Sequence, residues 1–389
     1  MCDFIFKQRD FDYELVLSEE SADFVYTLDN GASTLLYSEN LERRPPFDKD
    51  EEVYIFDEKI DLLASIFYVL TRMEEYTATT WDHHDRFTAE QSELNAYGLL
   101  DKAICDRWAE QIIEQIGLKA PVNSCSMEPT FDIDNTYAYR YKKGFRRKLS
   151  IMRDRVQNNK QRLRERKDVE NGGKDPYDTF EDISKIAQQF PTRVFWLVES
   201  HGKFDRNLDV SLPKHQSLIR NLSELATLGI HPSHKSYCSA PLVDKELRTL
   251  ESIIGKEVTC SRQHFLRFQL PESYRTLINV GIRHEYSMGF ADGVGFRAGT
   301  ARSFPWYDLL EERITELTVH PFVYMDGTLN EYLHLSPEDA KKQIHALYEE
   351  VKRFGGTFRF IWHNETIGEY NHWKGWRDVL DYTLSLHHE

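Results

Sequence analysis

Short β-rich runs alternate with segments of helical periodicity from Glu128 to the end of the chain, and this alternation limits the possible folds more than any other feature. A helix between two strands returns the chain to the start of the sheet, so consecutive strands pair in parallel. Over about 260 residues, this α/β pattern predicts a (β/α) barrel. The predicted strands are residues 130–133, 193–198, 228–231, 258–260, 318–324 and 357–362, and the predicted helices are residues 176–189, 213–226, 243–254 and 336–353.

The N-terminal part differs from the rest, because it is rich in Asp and Glu and carries apolar residues at helical spacing in segments 61–76 and 99–116. We expect residues 1–122 to form a smaller α+β domain of unknown role, joined by a linker at 120–124 to a barrel of residues 123–389. The polar segment 82–87 has the composition of a metal site, but a turn or a domain interface is the preferred interpretation.

The charge distribution argues against nucleic acid as a partner, because the chain carries a net charge of −15. Segment 140–167 differs, since thirteen basic residues stand there against Asp154 and Glu165, a net +11 that leaves −26 for the rest. One interpretation is a solvated helix or a mobile insertion. The other is a surface that contacts an anionic glycan, a lipid-linked sugar phosphate or a membrane.

The five cysteines are odd in number and form no C-x-x-C pair, which argues against a disulfide framework or a cysteine zinc site. The first residues do not show the basic and apolar regions of a secretion signal, and no apolar run reaches the ~20 residues of a membrane span. These features predict a cytoplasmic protein.

Candidate catalytic and metal-binding residues follow four of the predicted strands, where reactive groups gather in such folds. Asp132 and Asp134 project to the same side, because side chains alternate along a strand. Two carboxylates that are so close repel each other unless a cation or a proton lies between them, although capping carboxylates are the plain alternative. The other strand ends supply His231 with His234, Arg262 with His264, and His363.

Histidine and aspartate together suit zinc or a similar divalent ion. Two imidazoles three residues apart, as in His231 and His234, could reach one metal, although such a pair in a loop is often incidental. Four strand ends in one series of alternating strands and helices carry such polar residues. Chance explains this set less well than it explains any one of the motifs alone. We therefore expect a metal site at this edge of the sheet.

The order of these motifs resembles the polysaccharide deacetylase family, carbohydrate esterase family four. It runs from Thr130-Phe131-Asp132-Ile133-Asp134 through His231-Pro232-Ser233-His234 and Arg262 to Trp362-His363. The resemblance covers the chain from about Glu128 to its end, and it is strongest to a divergent branch that has an additional N-terminal domain. It implies a distorted seven-stranded barrel.

The resemblance also implies roles for individual residues. Asp132 corresponds to the catalytic base and Arg262 to the arginine that orients it. His363 corresponds to the histidine that protonates the leaving amine, and Asp326 is expected to orient His363.

The implied cofactor is one divalent metal ion, with zinc as the expected ion. Its expected ligands are Asp134, His231 and a third residue, His234 or His264, because Lys235 stands where the family usually has histidine. The expected substrate-binding residues are Arg297, Trp362 and His264.

The function implied by the resemblance is removal of N-acetyl or other acyl groups from a polysaccharide or from a lipid-linked glycan precursor. A cytoplasmic location favours the precursor. Two alternatives remain open. The first is a glycan-binding relative without catalysis, for which Lys235 speaks, and the second is a metal-dependent amidohydrolase that acts on a non-sugar amide.

Overall fold

The computed structural model describes residues 2–11, 14–16, 25–27, 33–35, 45–56, 59–119, 124–142 and 144–388. Residues 120–123 of the predicted linker at 120–124, and with them the domain boundary between residues 122 and 123, lie outside these ranges. The N-terminal part contains two three-stranded antiparallel sheets, β1-β2-β3 and β4-β5-β6. Their strands are β1 Glu14–Val16, β2 Val25–Thr27, β3 Ser33–Leu35, β4 Phe47–Asp48, β5 Val53–Phe56 and β6 Lys59–Ile60.

The helices of the N-terminal part follow the predicted apolar segments. The segment 61–76 forms two helices instead of one, because Arg72 between them adopts a left-handed conformation with φ of 55°. Asp61 caps the first of them, since its carboxylate accepts a hydrogen bond from the N–H of Ala64 at 2.9 Å. The helices are α1 Cys2–Ile5, α2 Leu62–Leu70, α3 Met73–Tyr76, α4 Glu93–Ala96 and α5 Ile104–Gln115.

The rest of the chain is built on a large, mostly parallel sheet, as the alternation of strands and helices predicts. The strand order is β12-β13-β11-β10-β9-β8-β7-β15-β14, and every neighbouring pair is parallel except β12 with β13. The strands are β7 Cys125–Ile133, β8 Arg193–Trp196, β9 Thr227–Ile230, β10 Cys260–Ser261, β11 His284–Glu285, β12 Phe304–Asp308, β13 Arg313–Val319, β14 Tyr324–Met325 and β15 Gly356–His363.

Helices connect these strands and cover the sheet. The longest begins as the sequence predicts, because the Ser336 hydroxyl accepts from the N–H of Asp339 at 3.2 Å and Pro337 occupies the first helical position. In the described residues, no helix is long and apolar enough to cross a membrane. The helices are α6 Gly144–Val156, α7 Lys160–Glu170, α8 Phe180–Ala187, α9 Pro213–Ser223, α10 Ala240–Ile254, α11 Glu272–Asn279, α12 Pro337–Phe354, α13 Asn364–Ile367 and α14 Arg377–Ser385.

The structure does not confirm the expected distorted (β/α) barrel, because the sheet that it describes is open, with β12 and β14 as its two edges. One edge is formed by β12, which pairs with β13 in an antiparallel hairpin. Near β14, irregular chain between β11 and β12 takes the place of a strand. Single backbone hydrogen bonds replace a ladder at this point, from the N–H of Phe322 to Met288 at 3.0 Å and from the N–H of Gly295 to Val323 at 2.8 Å.

The N-terminal part packs directly on the sheet-containing part, since one hydrophobic core includes residues of both. Gly295 lies at this contact with φ of 119°, and a Cβ atom on it would lie 2.1 Å from the carbonyl oxygen of Leu100. The N–H of the next residue, Phe296, donates to that same carbonyl at 2.7 Å. Only glycine allows so close an approach of the two backbones.

Candidate metal centre and catalytic cavity

The candidate residues meet at the carboxyl edge of five neighbouring strands, β10, β9, β8, β7 and β15. Asp132 is the penultimate residue of β7 and Asp134 directly follows the strand. His231 follows β9 and His363 ends β15. Parallel strands all present their carboxyl ends at the same edge, so residues far apart in sequence are brought together there.

Asp134, His231 and His264 form a compact group whose candidate ligand atoms all lie within 4.8 Å of one another. The Nε2 atom of His231 lies 3.2 Å from Oδ1 of Asp134, and the Nε2 atom of His264 lies 3.3 Å from Oδ2. The Oδ1 atom of Asp134 is buried and makes no hydrogen bond with the described residues. Two imidazole nitrogens and one carboxylate suit zinc or a similar divalent ion, which would satisfy this oxygen.

Hydrogen bonds behind the two histidines orient them toward Asp134. The Nδ1 atom of His231 donates to the carbonyl oxygen of Arg262 at 2.6 Å, and the Nδ1 atom of His264 donates to Oδ1 of Asp205 at 2.9 Å. Each ring therefore directs Nε2 at the candidate metal position. Carbonyl and carboxylate partners of this kind typically fix the tautomer and the orientation of a metal-binding histidine.

The charges in this group are strongly coupled. Burial alone would raise the pKa of the Asp134 carboxyl, but His264 and His231 beside it hold this pKa well below its usual range. Burial lowers the pKa of His264, whereas Asp134 and Asp205 raise it, and the result is about 9. Without a bound cation, the positive charge of protonated His264 thus balances the negative charges of Asp134 and Asp205. Binding of a metal would displace the proton from His264.

The structure brings His264, and not His234, beside Asp134. The turn after His231 leads into a 3-10 helix, His234–Ser236, which directs the His234 ring toward the N-terminal part. There its Nε2 atom lies 3.4 Å from Nδ1 of His84, and its ring packs on Phe204 with 4.4 Å between centroids. Lys235, the next residue, forms an ion pair with Glu199.

Asp132 lies beside the metal group and is held by Arg262. The Nη1 atom of Arg262 donates to Oδ1 of Asp132 at 2.8 Å, while Oδ2 lies 3.9 Å from Nε2 of His231. Arg262 is fully buried, with its guanidinium over the ring of Phe195 at 4.3 Å from the centroid and its Nε donating to the carbonyl of Tyr286. One carboxylate oxygen is thus fixed, and the other faces the metal group.

His363 lies on the other side of Asp134 and is held by Asp326. Its Nδ1 donates to Oδ1 of Asp326 at 2.8 Å, while its Nε2 lies 3.8 Å from Oδ2 of Asp134. The second oxygen of Asp326 accepts from the backbone N–H of His363 at 2.8 Å and from the hydroxyl of Thr366 at 2.5 Å. Burial alone would lower the pKa of His363, but Asp326 and then Asp134 raise it well above its usual value.

A cavity of about 290 Å³ opens over these residues. Asp132, Asp134, His231, His264 and His363 lie in its floor. Aromatic side chains form much of its wall, and most come from loops that follow the strands. These aromatic residues are Tyr177, Phe265, Tyr332, Tyr370 and Trp373.

The segment 82–87 brings the N-terminal part to the rim of this cavity, which agrees with the preferred interpretation of an interface. Arg86 lines the cavity and donates to the carbonyl of Phe265 at 3.2 Å and to the hydroxyl of Tyr332 at 3.0 Å. Asp82 holds the Arg86 guanidinium through an ion pair of 2.7 Å. The N-terminal part therefore contributes directly to the wall of the cavity.

Part of the chain matches a known family, and solved structures resemble it weakly. Residues 3–121 match a family of unknown function (DUF7033). A search of curated proteins gives no match to the chain. Among solved structures, a protein from Mycobacterium smegmatis that is assigned as a polysaccharide deacetylase is similar, with 11% identity and a TM-score of 0.41, over 67% of this chain and 84% of that chain.

Two other solved structures have comparable similarity. The polysaccharide deacetylase Bc1974 from Bacillus cereus has 10% identity and a TM-score of 0.33, over 68% of this chain and 86% of that chain. A GH57-type branching enzyme from the archaeon Pyrococcus horikoshii has 9% identity and a TM-score of 0.39, over 67% of both chains. At identities and TM-scores this low, none of these likenesses assigns an activity or a substrate.

Two residues expected to bind substrate lie away from the cavity. Arg297 is buried, and its guanidinium pairs with Glu75 through Nη2–Oε2 at 2.7 Å and Nε–Oε1 at 2.9 Å. Trp362 is fully buried, because residues alternate along β15 and its side chain lies on the opposite face of the sheet from that of His363. These placements correct both expectations, since neither side chain lines the cavity.

The sequence interpretation missed Asp205 and the aromatic wall. Asp205 lies in an irregular loop after β8, where no periodic pattern marks it, and only the position of His264 reveals its role. Tyr370 and Trp373 lie in the segment after α13, in which a cluster of aromatic residues close behind His363 is the one available signal.

Proposed function

We propose that this protein is a metal-dependent hydrolase that removes the acyl group from an N-acylated sugar. The observation that carries the proposal is the arrangement around Asp134. Candidate metal ligands from β7, β9 and the loop after β10 converge there, with Asp132 on one side and His363 on the other. A hydrolase of amides needs such a set, because it must activate water, stabilise an oxyanion and protonate an amine.

Asp134, His231 and His264 would hold one divalent ion, and zinc fits their nitrogen and oxygen donors best. When bound, such an ion polarises the amide carbonyl and lowers the pKa of a water molecule. His264 offers the third donor atom, so Lys235 does not by itself favour the alternative of a glycan-binding relative without catalysis.

Asp132 is suited to act as the general base. Its Oδ1 atom is engaged by Arg262, so its Oδ2 atom is the one left to accept a proton from the attacking water. Arg262 also holds the carboxylate at a fixed angle, which is how a positioned base gains efficiency.

His363 is suited to act as the general acid. Because Asp326 accepts from Nδ1, the Nε2–H of the protonated ring points into the cavity, toward the place of the leaving nitrogen. The raised pKa of His363 keeps this proton in place at neutral pH, and the departing amine takes it as the C–N bond breaks.

The aromatic wall supports a sugar as the substrate, since the flat faces of tyrosine and tryptophan stack on the apolar faces of sugar rings. We propose a polysaccharide or a lipid-linked glycan precursor as the natural substrate. A cytoplasmic location is supported by the free thiols of Cys105, Cys125, Cys238 and Cys260, and it favours the precursor.

The proposal is tested by acetate release from N-acetylated chitooligosaccharides after addition of zinc, with small N-acetyl amides as the comparison. We expect release from the oligosaccharides, and its loss in Asp132→Asn. The matched control is Asp182→Asn, which changes a carboxylate that pairs with Arg377 away from the cavity. Activity on the small amides alone would indicate that the substrate is a non-sugar amide. No release from either class, with metal bound, would contradict the proposal.

A further inference from the structure

A helical hairpin formed by α6 and α7 is inserted between β7 and α8, and its base lies at the rim of the cavity. Asp175 fixes this base, because its carboxylate accepts from the backbone N–H groups of Ala138, Tyr139 and Arg140, each at 2.8 Å. The hydroxyl of Tyr139 lies 2.8 Å from that of Tyr370, which lines the cavity. The hairpin is therefore anchored to the cavity wall.

One face of α6 exposes a stripe of large apolar side chains. Leu149, Met152 and Val156 are 41%, 58% and 81% exposed. Their spacing of three and four residues places them on the same side of the helix. Single exposed apolar residues are common, but a stripe of three on one helix leaves apolar surface without a partner in the described structure.

The solvent-facing surface around this stripe is basic. Asp154 is buried against α7, where Arg162 and Arg166 contact it at 3.1 and 2.9 Å, so the acidic group of α6 is neutralised inside the hairpin. The exposed side chains of the hairpin include six cations, Lys148, Arg153, Arg155, Lys160, Arg164 and Lys167, against two carboxylates, Asp168 and Glu170, of which Glu170 pairs with Arg147. Lys143 and the side chain of Arg146, which belong to the same basic segment, lie outside the described residues.

We propose that the α6–α7 hairpin is a docking surface for an anionic lipid bilayer. An exposed apolar stripe flanked by cations is the arrangement that binds in the interface of a membrane, with apolar side chains among the acyl chains and cations at the lipid phosphates. A soluble anionic glycan would engage the cations and leave the apolar stripe in water. A second copy of the chain, related by a two-fold axis, would place like charges opposite each other.

The charge of the remaining molecule orients this docking. The α6–α7 hairpin, residues 144–170, carries a net charge of +6 and the rest of the chain −21, so an anionic bilayer repels the rest while attracting the hairpin. Because the hairpin base lies at the cavity rim, we expect docking to hold the cavity near the membrane surface. If the proposed deacetylation is correct, this position suits a lipid-linked glycan, but the docking itself does not depend on that activity.

Co-sedimentation of the full chain with vesicles tests the proposal. The probes are neutral phosphatidylcholine vesicles and vesicles that also contain phosphatidylglycerol. We expect binding to the anionic vesicles that weakens as salt is raised. The variant Lys148→Gln/Arg153→Gln/Arg155→Gln should bind about fivefold more weakly for each charge removed. The variant Leu149→Ser/Met152→Ser/Val156→Ser should also bind more weakly at unchanged charge.

Matched control variants change equally exposed residues elsewhere. Leu310→Ser/Ile314→Ser alters side chains that are 65% and 62% exposed on the β12–β13 hairpin, and Lys185→Gln/Lys256→Gln/Lys342→Gln removes three exposed cations outside the basic segment. We expect both controls to bind as the wild type does, and circular dichroism verifies that every variant is folded.

Three results would overturn the proposal. They are absence of binding to anionic vesicles, equal losses in the hairpin and control variants, and unchanged binding of the serine variant of the stripe. A dimer that the stripe variant abolishes would assign this face to a second copy instead. Acetate release from soluble chitooligosaccharides is measured in parallel, so failure of membrane docking and failure of the proposed activity remain distinguishable.

Discussion

The ring of His363 lies between two carboxylates that act on its pKa in the same direction. Asp326 accepts from Nδ1 at 2.8 Å, and Oδ2 of Asp134 lies 3.8 Å from Nε2. Burial would lower the pKa of His363, but these carboxylates raise it well above the usual value. If His363 is the acid, activity requires its protonated form, so activity should fall only as the pH rises through this raised pKa.

Asp326→Asn should therefore move the alkaline limb of the pH profile of kcat/KM to lower pH. The substitution removes the negative charge that raises the pKa of His363, so the ring loses its proton at a lower pH than in the wild type. Asp182→Asn removes a carboxylate that does not line the cavity and should leave the limb in place. An unshifted limb in Asp326→Asn would contradict the role of His363 as the acid.

The site residues that lie at the ends of strands could be predicted from the sequence. Asp132, Asp134, His231 and His363 could be placed at one edge because alternation along a strand and parallel pairing determine their positions. The choice between His234 and His264 could not be made from spacing, because it depends on the short 3-10 helix at His234–Ser236. Asp205 could not be found at all, since its partner His264 lies 59 residues away.

At the scale of elements, the loops after the strands form the cavity wall. A π-helical turn, Thr328–Tyr332, follows β14 and presents Tyr332, whose side chain is 40% exposed at the cavity. Arg86 supports Tyr332 by donating to its hydroxyl at 3.0 Å and lies 5.7 Å from its ring centroid. This aromatic face is thus held in position and remains accessible to a sugar ring.

Tyr332→Ala should raise KM for chitooligosaccharides about tenfold with little change in kcat, because it removes a stacking face that does not take part in the reaction. Tyr332→Phe keeps the ring and should have a much smaller effect. Leu333→Ala changes a neighbouring side chain that is 39% exposed and does not line the cavity, so KM should stay unchanged. Steady-state kinetics of the three variants decides whether this wall binds the sugar.

The elements themselves could be predicted where their pattern is long. The helix α12 and the strands β7 and β15 have strong periodicity, caps or apolar runs, and the predicted segments overlap them. β11 has only two residues and carries no periodic signal. β12 contains Pro305, which argues against a strand in the sequence but is tolerated at a sheet edge. The missed edge strand is one reason why an open sheet was not predicted.

At the scale of the whole molecule, buried ion pairs join the N-terminal part to the rest. Arg297 pairs with Glu75 through two hydrogen bonds, and Arg72 also contacts Glu75 at 2.7 Å. These charges come from segments 222 residues apart, so the sequence alone could not distinguish a structural arginine from one that binds substrate. The structure assigns Arg297 to the interface between the two parts.

Arg297→Met should destabilise the protein by about 3 kcal/mol, because among the described residues it leaves the buried carboxylate of Glu75 with Arg72 as its one ion-pair partner. The activity of the folded variant should be unchanged, since Arg297 does not line the cavity. Arg283→Met removes an exposed pair with Glu316 and should cost about 1 kcal/mol or less. Urea denaturation measures both values, and a rise in KM without loss of stability would restore a substrate role for Arg297.

The central claim, a metal centre built from Asp134, His231 and His264, is tested most directly by elemental analysis of the purified protein. We predict about one zinc ion per chain in the wild type, loss of the ion in His264→Ala, and retention in His234→Ala, because His234 faces His84 and not Asp134. Retention in His264→Ala with loss in His234→Ala would contradict the assigned ligand set. A wild-type chain that takes up no divalent metal after reconstitution would contradict the metal centre itself.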